Sequence, residues 1–119
     1  MQGVREGGDD GVRICASAGA DTLRLVVEGE LDLGAMSHWD STVGPLLQPP
    51  CPERVELDLG AVDFIDSSGL GLLIKLRAWA APNGVGLRLL NVPRNVMRVL
   101  DFSGVTALFD VSPAELEPD

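Results

Sequence analysis

The sequence predicts an α/β domain with a mixed sheet of four to five strands flanked by helices. Two observations carry this expectation. Apolar and acidic residues alternate through Val55-Glu56-Leu57-Asp58-Leu59, the period of a half-buried strand. Soon after, the run 70–81 is apolar nearly all round, broken only by Gly71, Lys75 and Arg77, as in a buried helix. Strand-like and helix-like stretches go on alternating along the chain, and parallel strands joined by helices are the expected result. At 119 residues the chain is long enough for one domain with a single modest core.

In chain order, residues 1–11 are rich in glycine and charge with almost nothing apolar, so they are expected to be a disordered lead-in to a single domain over 12–119. Val12-Arg13-Ile14-Cys15-Ala16 alternates weakly and Thr22 to Gly29 alternates well. The short turn Gly19-Ala20-Asp21 between them makes the pair an antiparallel hairpin. Met36, Trp39, Val43 and Leu46 then fall at helical spacing, which places a helix over 34–44 that Pro45 should stop near Val43 or Gly44. Pro49-Pro50-Cys51-Pro52 is a rigid linker. A third strand over 54–59 leads into a helix over 68–81, ended by Pro82-Asn83-Gly84. Val85 to Asn91 is the fourth strand, and Pro93 opens a helix over 93–102 that Ser103-Gly104 closes. Residues 106–111 suit a short fifth strand. Ser112-Pro113-Ala114-Glu115 has capping-box spacing for a last helical turn.

Composition narrows the function classes. Hydrophobic residues at 45% and charged ones at 23% are ordinary for a soluble globular protein. A formal net charge of −9 argues against nucleic acid, whose phosphates need clustered Lys and Arg, and against an anionic membrane surface. Basic patches on another protein are the easier partners. Cys15 and Cys51 show no metal-ligand spacing and no reason to pair. No apolar run approaches a membrane span and no signal-peptide core is visible, so the expected compartment is the cytoplasm.

The chemistry concentrates in Phe64-Ile65-Asp66-Ser67-Ser68-Gly69-Leu70-Gly71, at a strand-to-helix junction. The plain reading of Asp66-Ser67-Ser68 is a helix N-cap. The sharper one is a serine held exposed where the helix dipole favours a phosphate. Hydrolysis fits poorly: a nucleophile elbow has Gly-x-Ser-x-Gly, which this frame lacks, and the only histidine, His38, sits in a helix beside Trp39. Asp32 and Asp63 lie near strand C-terminal ends, where α/β proteins place their sites, but no phosphate-binding loop accompanies them. Gly69-Leu70-Gly71 fails to complete a dinucleotide fingerprint because position 74 is Ile. No catalytic residue, metal or cofactor is expected. Leu70, Gly71, Ile74 and Ala78 fall within one helix stripe beside Ser67, an expected docking surface for a partner.

Four blocks in order carry a resemblance over about residues 12–111. They are Gly29-Glu30-Leu31-Asp32; Leu57-Asp58-Leu59; Val62-Asp63-Phe64-Ile65-Asp66-Ser67-Ser68-Gly69-Leu70-Gly71; and Leu90-Asn91-Val92-Pro93 through Ser103-Gly104-Val105. Together they resemble a STAS domain, and more narrowly the bacterial anti-sigma factor antagonists. The resemblance implies the STAS fold and a serine after the motif aspartate, here Ser67, that is phosphorylated by a serine kinase which is itself the anti-sigma factor. Unphosphorylated antagonist binds that kinase and frees the sigma factor; a serine phosphatase resets the switch. Asp32 matches the family aspartate near the phosphoserine, with Asp63, Asp66 and Ser68 as its surroundings. Leu33-Gly34-Ala35-Met36 departs from the polar helix start usual in the family. The rival expectation is a non-switching STAS scaffold in a lipid-transport or stress-sensing complex.

Overall fold

A computed structural model describes residues 3–8 and 11–114. Its strands are β1 (Gly3–Gly8), β2 (Val12–Ala18), β3 (Thr22–Leu31), β4 (Arg54–Ile65), β5 (Gly86–Val92) and β6 (Asp110–Pro113). The helices are α1 (Met36–Thr42), α2 (Ser67–Ala80) and α3 (Arg94–Phe102). Short 3-10 turns cover Leu33–Ala35, Gly44–Leu47 and Thr106–Leu108. The sheet follows the chain, β1-β2-β3-β4-β5-β6, antiparallel across the first three strands and parallel from β3 to β6.

That order has a consequence. Successive right-handed crossovers between neighbouring parallel strands put α1, α2 and α3 on the same face of the sheet. The helices thus flank the sheet on one side, and the strands alternate accordingly. Ile14, Leu25, Val27, Leu57, Leu59 and Leu89 are fully buried on the helix side, where Leu73, Leu76, Val96 and Leu100 meet them. The opposite face is polar and crosslinked. Arg24 pairs with Glu56 at 3.6 Å and Asp58 at 3.1 Å, Asn91 Nδ2 donates to Asp58 Oδ2 at 3.0 Å, and Arg88 pairs with Asp110 at 3.5 Å. The side chain of Asp58 is only 16% exposed, so this acid, which alternation alone reads as a solvated position, ties β3, β4 and β5 together.

Several boundaries differ from expectation. Residues 3–8, within the expected disordered lead-in, form β1 against the free edge of β2, in register from Gly3↔Ala18 to Gly8↔Arg13. Main-chain pairing needs no apolar side chains, which is why composition does not announce this sixth strand. The third expected strand, 54–59, runs on to Ile65 as β4, with register shifts against β3 between Val26 and Glu28 and between Gly29 and Glu30. The fifth is displaced toward the C-terminus: Thr106–Leu108 is a turn and the strand is Asp110–Pro113. That turn is held from two sides, by Thr106 Oγ1 on Asp101 Oδ1 at 2.5 Å and by Arg77 Nε on the Leu108 carbonyl at 2.8 Å. Ser112 and Pro113, expected to cap a last helical turn, belong to β6, and the remainder of that turn beyond Ala114 lies outside the described residues. The helix over 34–44 stops after Thr42 as Pro45 requires, and its first residues form the 3-10 turn Leu33–Ala35.

The position of α2 depends on one glycine. A Cβ at Gly69 would stand 2.0 Å from the Leu31 carbonyl oxygen and 2.9 Å from Ile65 Cγ1, a distance no real contact adopts. The first turn of α2 therefore lies directly against the end of β3. Gly71, two residues on, has nothing within 4 Å of such a Cβ.

The two glycines make a matched test. Gly69→Ala should destabilise the protein by about 3 kcal/mol or more, because backbone must move to admit the methyl group. Gly71→Ala should be neutral or stabilising by about 0.5–1 kcal/mol, through helix propensity alone. Urea unfolding of both variants checks this, and equal stabilities would show that the contact with Leu31 is not made. Leu57→Ala, at a fully buried position, should cost about 2–5 kcal/mol in the same assay.

Candidate functional site

The parallel strands β3 and β4 end in register, Leu31 opposite Ile65, so Asp32 and Asp66 follow side by side at the carboxyl edge of the sheet. The Asp66 N–H donates to the Leu31 carbonyl at 3.4 Å, fixing where the chain turns into α2. Asp66 then caps the helix: its Oδ1 accepts from the Ser68 N–H at 2.9 Å and the Gly69 N–H at 3.1 Å. Its own carbonyl takes the first helical bond, from the Leu70 N–H at 2.9 Å.

This division of labour separates the two serines. Capping is complete without either hydroxyl. Ser67, the first residue of α2, is exposed and its hydroxyl bonds to none of the described residues. Ser68, next to it, is half-buried. A hydroxyl that neither caps nor packs is free for chemistry performed on it from outside.

Around Ser67 the sequence-derived acids take different places. Asp32 is half-buried at the start of the 3-10 turn, where its carbonyl accepts from the Ala35 N–H at 3.0 Å while its carboxylate caps nothing. Asp63 is exposed on β4, two residues before Ile65, and its main-chain carbonyl accepts from Asn95 Nδ2 at 3.0 Å. That bond ties the first turn of α3 to the same edge. Among the described residues no cluster of three or more His, Cys, Asp and Glu is arranged to hold a metal ion.

The expected docking stripe needs one correction. Leu70 is buried, because α2 turns Gly69, Leu70, Leu72, Leu73, Leu76 and Ala80 inward, and the apolar arc is wide enough to take Leu70 with it. Gly71 is half-buried, while Ile74 and Ala78 are exposed on the outer face. Near Asp32 and Asp66, two apolar side chains that sequence reasoning passed over are more exposed than Ile74. Leu33 is 70% exposed just after Asp32, and Phe64 is 49% exposed two residues before Asp66. The irregular register near Gly29 and Glu30 allows Phe64 to turn outward between buried Val62 and Ile65. The available signal was the excess of apolar residues over what one buried face of β4 can hold. The carboxyl edge thus holds Ser67 next to Asp66, with Asp32 following the paired end of β3 and the exposed Leu33 and Phe64 on the adjoining chain. No helix in the described residues is long and apolar enough to cross a membrane.

Comparison with known proteins agrees with this geometry. A family model described as STAS domain matches residues 17–117. Over 96 residues the chain is 31% identical to a STAS-domain containing protein of Pseudomonas aeruginosa, covering 81% of this chain and 93% of that protein. Over 92 residues it is 28% identical to an anti-sigma-B factor antagonist of Staphylococcus epidermidis, covering 77% and 84% respectively. Its fold is similar to the crystal structure of an anti-sigma factor antagonist from Mycobacterium paratuberculosis, with a TM-score of 0.72 over 90% of each chain at 20% identity. With the model covering nearly the whole chain and its motif serine set free at the start of α2, the protein belongs to the STAS domain family.

Proposed function

We propose that this protein is an anti-sigma factor antagonist acting in the cytoplasm, and that phosphorylation of Ser67 switches it off. The observation that carries the reading is the free hydroxyl of Ser67 on a helix already capped by Asp66. Similarity to an anti-sigma-B factor antagonist over most of both chains supports the same role. The partner is an anti-sigma factor that is itself a serine kinase, and a serine phosphatase reverses the modification. Ser67 is a substrate here, not a catalyst.

The physical basis is electrostatic. A phosphate on Ser67 adds nearly two negative charges at a helix N-terminus, where the dipole partly offsets them. Asp66 already occupies the Ser68 and Gly69 N–H groups, so the phosphate finds few donors within the protein. Asp32, Asp63 and Asp66 add charge of the same sign at that edge. The domain tolerates this because the phosphate faces water. A complex does not, since burying an unpaired dianion costs far more than burying a hydroxyl. In the unmodified protein, Leu33, Phe64, Ile74, Ala78 and the small Gly71 offer the kinase an apolar contact surface, and the surrounding carboxylates suit a basic rim on it.

Calorimetric titration against the candidate anti-sigma factor kinase tests the switch. Ser67→Ala should fold normally, bind at least as well as wild type and accept no phosphate. Ser67→Asp should fold but bind roughly a hundredfold more weakly, equivalent to about 3 kcal/mol. Equal affinities for wild type and both variants would refute the switch and leave a non-switching STAS scaffold as the better account.

A further inference from the structure

Away from Ser67, a groove of about 260 Å³ runs between α1 with its following turn and the flank of α2 that carries Leu72, Lys75, Leu76 and Trp79. Both tryptophans of the chain line it. Trp39, 5% exposed, forms its base from α1, and half-buried Trp79 closes one wall from α2. Leu47, Leu72 and Leu76 give it an apolar floor, and Gly44 and the exposed Gln48 complete the lining. At its mouth stand two opposite charges, Asp40 from α1 and Lys75 from α2, both exposed. They form no ion pair with each other or with any other described residue. By contrast Arg24, Arg54 and Arg88 all pair with carboxylates.

An acid and a base that share a groove without meeting suit a ligand that carries both charges. We infer that this groove binds a free amino acid with an apolar side chain. The ammonium group lies at the Asp40 carboxylate. The carboxylate lies at the Lys75 ammonium. The side chain enters the apolar floor between Leu47, Leu72, Leu76 and Trp79. The volume falls just below the usual range for drug-sized ligands, which suits a small metabolite. The two partners come from different secondary-structure elements, so a molecule with one charge satisfies only one wall. This site is independent of Ser67 and of the antagonist reading.

The tryptophans supply the readout, because no other residue of the chain emits under Trp-selective excitation and both face the groove. The full chain is titrated with L-phenylalanine, and with 3-phenylpropionate and 2-phenylethylamine, which each keep one charge. Phenylalanine should give a saturable fluorescence change with half-saturation at or below about 1 mM, and each single-charge compound should bind at least about tenfold more weakly. Lys75→Ala should weaken phenylalanine and 3-phenylpropionate but spare 2-phenylethylamine. Asp40→Asn should weaken phenylalanine and 2-phenylethylamine but spare 3-phenylpropionate. Both changes are at exposed positions, and circular dichroism verifies that the variants fold. The inference is overturned if neither fluorescence nor calorimetry detects phenylalanine up to about 10 mM, ten times that half-saturation. It is equally overturned if a single-charge compound binds as tightly as phenylalanine, or if the two variants bind phenylalanine like wild type.

Discussion

At the carbonyl of Leu31, β3, β4 and the first turn of α2 converge so closely that a single added carbon at Gly69 has no room. The same carbonyl accepts the Asp66 N–H, and Asp66 in turn caps α2 through two N–H groups. These contacts fix both the position and the start of the helix. Once Asp66 is the cap and Gly69 is against β3, Ser67 can only be the first helical residue, outside the packed interface. The exposure of its hydroxyl follows from what its neighbours on either side must do.

The sheet makes that edge a firm platform. Because the helices gather on one face, the other face is held by side-chain bonds, with Asp58 linking Arg24, Asn91 and the Gly60 N–H across three strands. Individually such half-exposed pairs are worth little, about 0–1 kcal/mol each. Their effect is to keep the ends of β3, β4 and β5 in register, and so to hold Asp32, Asp66 and the start of α3 where they are. Asn95 on the Asp63 carbonyl completes the frame. On the proposed switch, a charge added at Ser67 would stand beside Asp66, whose Oδ1 already takes the Ser68 and Gly69 N–H groups.

Much of this was legible in the residues. Alternation through Leu57 and Leu59, the helical spacing of Val96 and Leu100, and the stops at Pro45 and Pro82-Asn83-Gly84 place the core and most element boundaries, since each reports a local constraint. The serine at the junction was visible for the same reason. Choosing between a cap and a free hydroxyl was not, because Asp66, Ser67 and Ser68 are all good caps and only the geometry assigns the role to Asp66. Strand β1 stayed hidden because it is held by backbone pairing to β2. Leu70, expected on the docking stripe, is buried and Phe64 is exposed for tertiary reasons: α2 buries a wider arc than one stripe, and the shifted register of β4 turns an aromatic side chain outward.

The central claim is that the Asp66 cap leaves Ser67, and not Ser68, open to modification. The most direct measurement is intact mass and site mapping after incubation of the protein with ATP and the candidate kinase. The account predicts a single added phosphate, located on Ser67, and no added mass on a Ser67→Ala protein that folds like wild type. Phosphate on Ser68, or an undiminished mass shift in Ser67→Ala, would contradict it.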